Sequence, residues 1–239
     1  MPHTDAHLEP FTTSDGSVTL RDRDRDLLYR SKHGAATESR ELFVEGTGLV
    51  RRTGDWVVLE FGFGGGMSFA QALIARNQRP TGHLHFHSVE RDPVDPALAQ
   101  HLPKEAAAQV AQALEQARAC GEAHITSGHT TLHLYKASWK GFERPDIQAH
   151  ALFHDPFGPE VDPGSWDRDA MAVAAAHIAP DGILATYTMA AHVRRAIAAA
   201  GLWVARAPGP GFKREVTLAS PSAQALAHVE ILTKYTPTS

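Results

Sequence analysis

Cysteine is almost absent. Cys120 is the only one in 239 residues, so an internal disulfide is impossible. A lone thiol fits a reducing compartment, and the cytoplasm is the expected location. Long apolar runs are also missing, and none reaches the roughly 20 residues that a membrane-spanning helix needs. The opening MPHTDAHLEP lacks the basic and apolar regions of a signal peptide. Excess positive charge is missing too: 23 Lys and Arg stand against 27 Asp and Glu, for a formal net charge of −4. That balance argues mildly against a nucleic-acid binder, although a local basic patch fits within an acidic total. Fifteen histidines can add positive charge below neutral pH. There is no internal repeat, no G-x-S-x-G nucleophile elbow and no G-K-[ST] phosphate loop. What remains is a globular composition, 43% hydrophobic and 21% charged, long enough for one large α/β core.

From residue 56 a rhythm begins. WVVLEF (56–61) is a short apolar run ending in glycines, and MSFAQALIARN (67–77) follows with helical spacing. HLHFHSVE (83–90) reads as a strand and the Ala-rich 105–119 as a helix of high propensity. TLHLYKA (131–137) and ALFHD (151–155) are predicted strands, with a helix in AMAVAAAHIA (170–179) and a strand in GILATYT (182–188). A glycine-closed helix at 191–201 then precedes two late strands, LWVAR (202–206) and REVTLAS (214–220). Strands alternating with helices imply an α/β, doubly wound, mostly parallel sheet, and the late pair implies an antiparallel hairpin at one edge. Such an ending suits a Rossmann-like class I methyltransferase better than a nicotinamide dehydrogenase. Residues 1–40 read as a polar extension packed on a domain spanning 41–239. Within them, RDRDRD (21–26) is either a strand with arginines on one face or, as mixed charge runs usually are, a solvated edge or loop.

The segment LEFGFGGGMSF places Glu60, Gly62, Gly64, Gly65 and Gly66 at the end of the first strand of this rhythm. Glycines allow a sharp turn and let a ligand lie against the backbone. The following helix N-terminus offers unpaired N–H groups. Glu90 ends the next strand, 24 residues past Gly66, where an acid accepts hydrogen bonds from the ribose of an adenosine cofactor. NAD and S-adenosyl-L-methionine (SAM) sites share that pairing. The acid before the glycines, and spacing that departs from G-x-G-x-x-G, favour SAM.

The fourth predicted strand ends on Asp155, within FHDPFGPEVDPGSW (153–166). Ligands of doubly wound sheets lie outside the carboxyl ends of the strands, so Asp155 is expected to face the crevice of the glycine loop. A carboxylate there can hold an amine by its N–H groups and accept a proton. Phe157, stiffened by Pro156 and Pro159, can stack on a flat base. The alternative is an Asp-Pro pair that only caps a turn. His83, His85 and His87 share one face of a strand, but no carboxylate or cysteine follows at ligand spacing, so no metal is expected.

Taken in order, these segments resemble the methyltransferase module of the MnmC family, which finishes 5-methylaminomethyl groups on wobble uridines of tRNA. The resemblance rests on ESRELFVEGTGL (38–49), EFGFGGGMSF (60–69), LHFHSVERDP (84–93), FHDPFGPEVDPGSW (153–166), TYTMAAHVRRAIAAAGLWV (186–204) and GPGFKREV (209–216). It implies SAM binding by Glu60, Gly62, Phe63, Gly64, Gly66 and Asp155, with Glu90 on the ribose. It implies Asp155 and Phe157 beside the transferred methyl, with Tyr187 nearby. Arg194, Arg195, Lys213 and Arg214 become candidates for tRNA phosphate contacts, although a solvated or ion-paired role fits the two helical arginines equally well. The chain departs from the family in places. Ser138 stands where an acid is expected at the adenine, Pro156 replaces a small residue before Phe157, and Asp162, Ser165 and Thr47 replace the family's usual residues. No second glycine-rich fingerprint for FAD occurs. The function so implied is methylation of 5-aminomethyl(-2-thio)uridine to its 5-methylaminomethyl form. Alternatives are an amine methyltransferase for another RNA or a small molecule, a SAM-binding module without activity, and, less well matched at 153–166, a polyamine synthase.

Overall fold

The computed structural model describes residues 5–79, 81–211 and 215–237. Lys213 and Arg214, two of the four candidate RNA contacts, lie outside the described residues. The chain opens with β1 (Leu8–Thr12), β2 (Val18–Asp22) and β3 (Leu27–Leu28), a small antiparallel sheet. A short helix α1 (Ala35–Glu38) then runs into a π-helical stretch, Ser39–Glu45. The α/β part follows: β4 (Trp56–Phe61), α2 (Met67–Asn77), β5 (Leu84–Glu90), α3 (Lys104–Cys120), β6 (Glu122–Ser127) and β7 (Thr130–Lys136). After these come β8 (Ala149–His154), α4 (Arg168–Ala176), β9 (Ile178–Thr186), α5 (Ala191–Ala199), β10 (Trp203–Pro208), β11 (Glu215–Ser220) and β12 (Glu230–Ile231).

Nine strands form one sheet in the order β12-β10-β11-β9-β8-β4-β5-β7-β6. The central strands β7, β5, β4, β8 and β9 are parallel, and β11 lies antiparallel between β9 and β10. The predicted late hairpin is therefore β10–β11, with the two-residue β12 added outside it. β6 had no counterpart in the sequence reading. Its AHITS pattern is short and half exposed, and it forms the other edge, antiparallel to β7.

Alternation along the strands builds two cores. Val58, Phe86, Phe153 and Ala185 face one side with α2 and α3, whereas Leu59, Phe61, Leu152 and Leu184 face the other with α4 and α5. Helix α3 buries Ala106, Val110, Ala113, Leu114 and Ala117, a stripe at 3–4 residue spacing, and ends at Gly121 in the left-handed region, φ 89°.

The N-terminal sheet is more than a polar extension. Leu8 and Leu20 are buried in the same core as Phe63 and Val110. The RDRDRD run splits between the end of β2 and a turn. Buried Asp22 accepts the N–H groups of Asp24 and Arg25, while Arg21 pairs with Asp26 at 2.6 Å. On the far side of the large sheet histidine rings cluster: His87 stacks on His133 at 4.3 Å, while His124–His133 at 4.3 Å and His83–His85 at 4.5 Å are tilted. Among the described residues no group of three or more His, Cys, Asp or Glu is placed to share an ion.

Candidate active site

β4 and β8 are neighbours, yet the chain leaves β4 toward β5 on the opposite side. Strand order reverses at that point, and a crevice opens above the strand ends. A cleft of about 1120 Å³ lies there, large enough for a small-molecule ligand and part of a second. Its floor is the glycine loop. Gly62, Gly64 and Gly66 take φ values of 95°, 53° and 86°, which side chains rarely adopt. Gly62 is tightest, because a Cβ there would sit 2.7 Å from the Asp155 carbonyl oxygen. The Asp155 N–H donates to the Phe61 carbonyl at 3.0 Å, so the loop and the acidic strand end are pinned together.

Glu90 braces the loop from the next strand. One carboxylate oxygen accepts the Gly64 N–H and the other the Asp92 N–H, both at 3.0 Å. Burial raises its pKa. Each oxygen keeps a lone pair that a diol can use.

The Asp-Pro-Phe turn is held at its carbonyls. Tyr187 Oη donates to the Pro156 oxygen at 2.8 Å, and Trp166 Nε1 donates to the Phe157 oxygen at 2.7 Å. Burial near Asp155 pushes the Tyr187 hydroxyl pKa far upward, so it remains a donor. The Phe157 ring lines the cleft and meets the Tyr29 ring edge-on at 5.0 Å.

Asp155 itself is almost fully buried and forms an ion pair with Arg30, which sequence reasoning missed. Arg30 follows β3 and reaches the cleft from the N-terminal sheet. Its guanidinium also lies 3.6 Å from Glu60 and donates to Ser68 Oγ at 2.6 Å. Glu60 is 0% exposed and is not among the cleft-lining residues. Its carboxylate accepts from Ser88 Oγ at 2.9 Å, and burial pushes its pKa up to about 8 despite the nearby arginine. Arg30 thus stands between two acids, of which only Asp155 lines the cleft.

Residues 100–222, just over half of the chain, match the family described as S-adenosyl-L-methionine-dependent methyltransferase. The chain belongs to that methyltransferase family. It is 36% identical over 205 residues to a protein of Caulobacter vibrioides named tRNA 5-methylaminomethyl-2-thiouridine biosynthesis bifunctional protein MnmC, covering 80% of this chain and 34% of that one. The chain spans about a third of the length of the curated relatives it matches. Among solved structures, MNMC2 from Aquifex aeolicus superimposes with a TM-score of 0.75 at 24% identity, covering 93% of this chain and 72% of that one. Spermidine synthase from Thermotoga maritima follows with a TM-score of 0.56 at 11% identity, covering 93% and 72%. Both likenesses establish the class I methyltransferase fold.

The residues present fit SAM. A methyltransferase needs a floor without Cβ atoms, a diol acceptor and negative charge for a sulfonium. The glycine loop and Glu90 have the first two properties, and Asp155 on the cleft wall is the nearby acid. Phe63 and Ser138 also line the cleft, whereas Gly66 closes the turn beneath it, its N–H bonded to the Phe63 carbonyl at 2.9 Å. Ser138 is exposed, and its Oγ accepts the Lys140 N–H at 3.2 Å. The neighbouring Trp139 Nε1 donates to Ser165 Oγ at 3.1 Å, which in turn donates to Asp162 at 2.7 Å, closing that wall.

Of the two helical arginines, one takes the ion-paired alternative, with Glu215. Arg194 is buried beneath β11, where its Nε donates to Thr217 Oγ1 at 2.9 Å and Thr217 donates on to the Thr188 carbonyl at 2.6 Å. A phosphate cannot reach it, because the amphipathic face of α5 turns Arg194 inward beside Val193 and Ile197. Arg195 points to solvent.

Proposed function

We propose that the chain is a SAM-dependent N-methyltransferase that converts 5-aminomethyl(-2-thio)uridine of the tRNA wobble position to the 5-methylaminomethyl form. The observation that carries this reading is the braced Asp155-Pro156-Phe157 turn, set against the glycine loop at the switch in strand order. The name and identity of the Caulobacter vibrioides relative support it. When bound, SAM supplies an electrophilic methyl group on a sulfonium. Glu90 and the loop from Gly62 to Gly66 would hold it. Asp155 accepts an N–H of the acceptor amine, orients the nitrogen lone pair toward the cleft and receives a proton as the amine is alkylated. Phe157 and Tyr29 offer ring faces and edges to the base. Tyr187 fixes the turn through Pro156.

The test uses an anticodon stem-loop bearing 5-aminomethyl-2-thiouridine, with product followed by mass spectrometry. Wild type transfers one methyl to it and none to the loop lacking the aminomethyl group. Asp155→Asn loses at least ~100-fold in kcat at saturating SAM. Near-normal turnover in Asp155→Asn, or equal methylation of both loops, removes the proposal. The burial of Arg194 favours a second reading, an amine methyltransferase for a small molecule, since it withdraws one basic contact from a chain of net charge −4. Transfer to free amines but not to the stem-loop would select it.

A further inference from the structure

The Asp155 carboxylate is buried yet faces the cleft, and a second carboxylate, Glu60, lies behind it. Left to themselves, two neighbouring acids in a low-dielectric site respond in one of two ways. One takes up a proton, or both hold any amine in the cleft as its ammonium. Glu60, pushed up to about 8 by burial, takes that proton, and Asp155 must then stay anionic, since a protonated carboxyl cannot receive the amine's proton and an ammonium has no lone pair. Arg30 stands at this point. Its side chain is 7% exposed, and the guanidinium touches Asp155, Glu60 and Ser68 from three different elements. The remaining titratable groups around it are Glu38 of α1, which accepts the Ser31 N–H at 3.1 Å, and Tyr187 after β9.

We infer that Arg30 is a positioning residue that keeps Asp155 anionic and, by balancing its charge, lets an acceptor amine sit there in neutral form. The inference rests on the amine-methylation reading above. The geometry explains why the residue must be an arginine held by Ser68: a planar guanidinium can face two carboxylates at once, while a lysine offers one compact charge. It also gives the N-terminal sheet a part in the chemistry, since β3 delivers Arg30 and Tyr29 together to opposite parts of the acceptor turn.

The test reads Asp155 directly. Carboxyl carbons of 13C-labelled protein are titrated by NMR, with the Asp155 signal assigned by its loss in Asp155→Asn. In Arg30→Met, Asp155 takes up its proton at least ~1 pH unit higher than in the wild type. Arg30→Lys falls between. With the stem-loop substrate, the acidic limb of the kcat profile moves upward by about the same amount in Arg30→Met, while SAM affinity changes less than about threefold. An Asp155 titration unchanged by Arg30→Met, or a wild-type Asp155 that binds its proton above about pH 6, overturns the inference. Should Arg30→Met not fold, the wild-type titration and Arg30→Lys still decide. A wild type that binds SAM but methylates no aminomethyl RNA defeats the functional reading alone, because the NMR titration needs no turnover.

Discussion

Replacing Gly62 by alanine tests whether the glycine loop and the Asp155 strand end are one mechanical unit. Two costs add. With φ at 95°, an alanine is strained by about 1–2 kcal/mol. The new Cβ would also lie 2.7 Å from the Asp155 carbonyl oxygen and 3.2 Å from the Pro156 nitrogen. Both are backbone atoms, so the end of β8 must shift, at roughly 1–3 kcal/mol. The sum is roughly 2–5 kcal/mol, or about 4–20 °C in Tm for a domain of this size. Gly121→Ala is the matched control, because φ is 89° and a Cβ there meets nothing within 4 Å. It bears the backbone strain alone, roughly 1–2 kcal/mol. Scanning calorimetry of both variants, with SAM affinity by titration calorimetry, separates the terms. Gly62→Ala falls further in Tm and also weakens SAM binding or turnover, whereas Gly121→Ala changes only Tm. Equal Tm losses with intact activity would refute the claim that close approach at Gly62 couples the loop to the acid.

Other predictions follow from the same contacts. His154 is buried, with Nε2 bonded to the Ser165 carbonyl at 2.8 Å and its pKa depressed by burial to about 4. The unfolded chain binds that proton near pH 6.5 and the folded one does not, so stability falls as pH drops from 6.5 to 4, by about 3 kcal/mol at most. Denaturation curves of His154→Phe should show a slope shallower than wild type by about 1.4 kcal/mol per pH unit in that window. Arg194→Met should lower stability by about 1–3 kcal/mol, since it removes the buried donor to Thr217 Oγ1, yet leave tRNA affinity unchanged at fixed salt. Arg195→Ala should leave Tm within about 1 °C and weaken tRNA binding at low salt, read by filter binding. Tyr187→Phe removes the donor to the Pro156 carbonyl and should cost about 1 kcal/mol in thermal unfolding, with a several-fold fall in kcat.

What the sequence settled by itself lies in its local patterns. Apolar runs and helical spacing place each central strand and helix, because period and burial are properties of neighbouring residues. Glycine next to a strand end, an acid at the next strand end and Asp-Pro-Phe at another were enough to bring Gly62, Glu90 and Asp155 to one crevice, since parallel strands share their carboxyl ends. β6 escaped because its alternation is short and holds only two apolar residues, Ala123 and Ile125. The sequence left Arg194 open between an RNA contact and an ion-paired role, because two adjacent arginines differ in fate only through the rotation of α5, with one facing Thr217 and the other water.

The tertiary structure alone decided the charge of the site. Arg30 and Asp155 are 125 positions apart, and no periodicity links a residue after a two-residue strand to the end of β8. Glu60 read as a cofactor acid from its place before the glycines, yet its side chain points away from the lining and toward Arg30, Ser68 and Ser88. Local sequence fixes which atoms a strand end presents. Which buried charge balances them depends on how distant segments pack, because the desolvation of a carboxylate is set by everything that surrounds it.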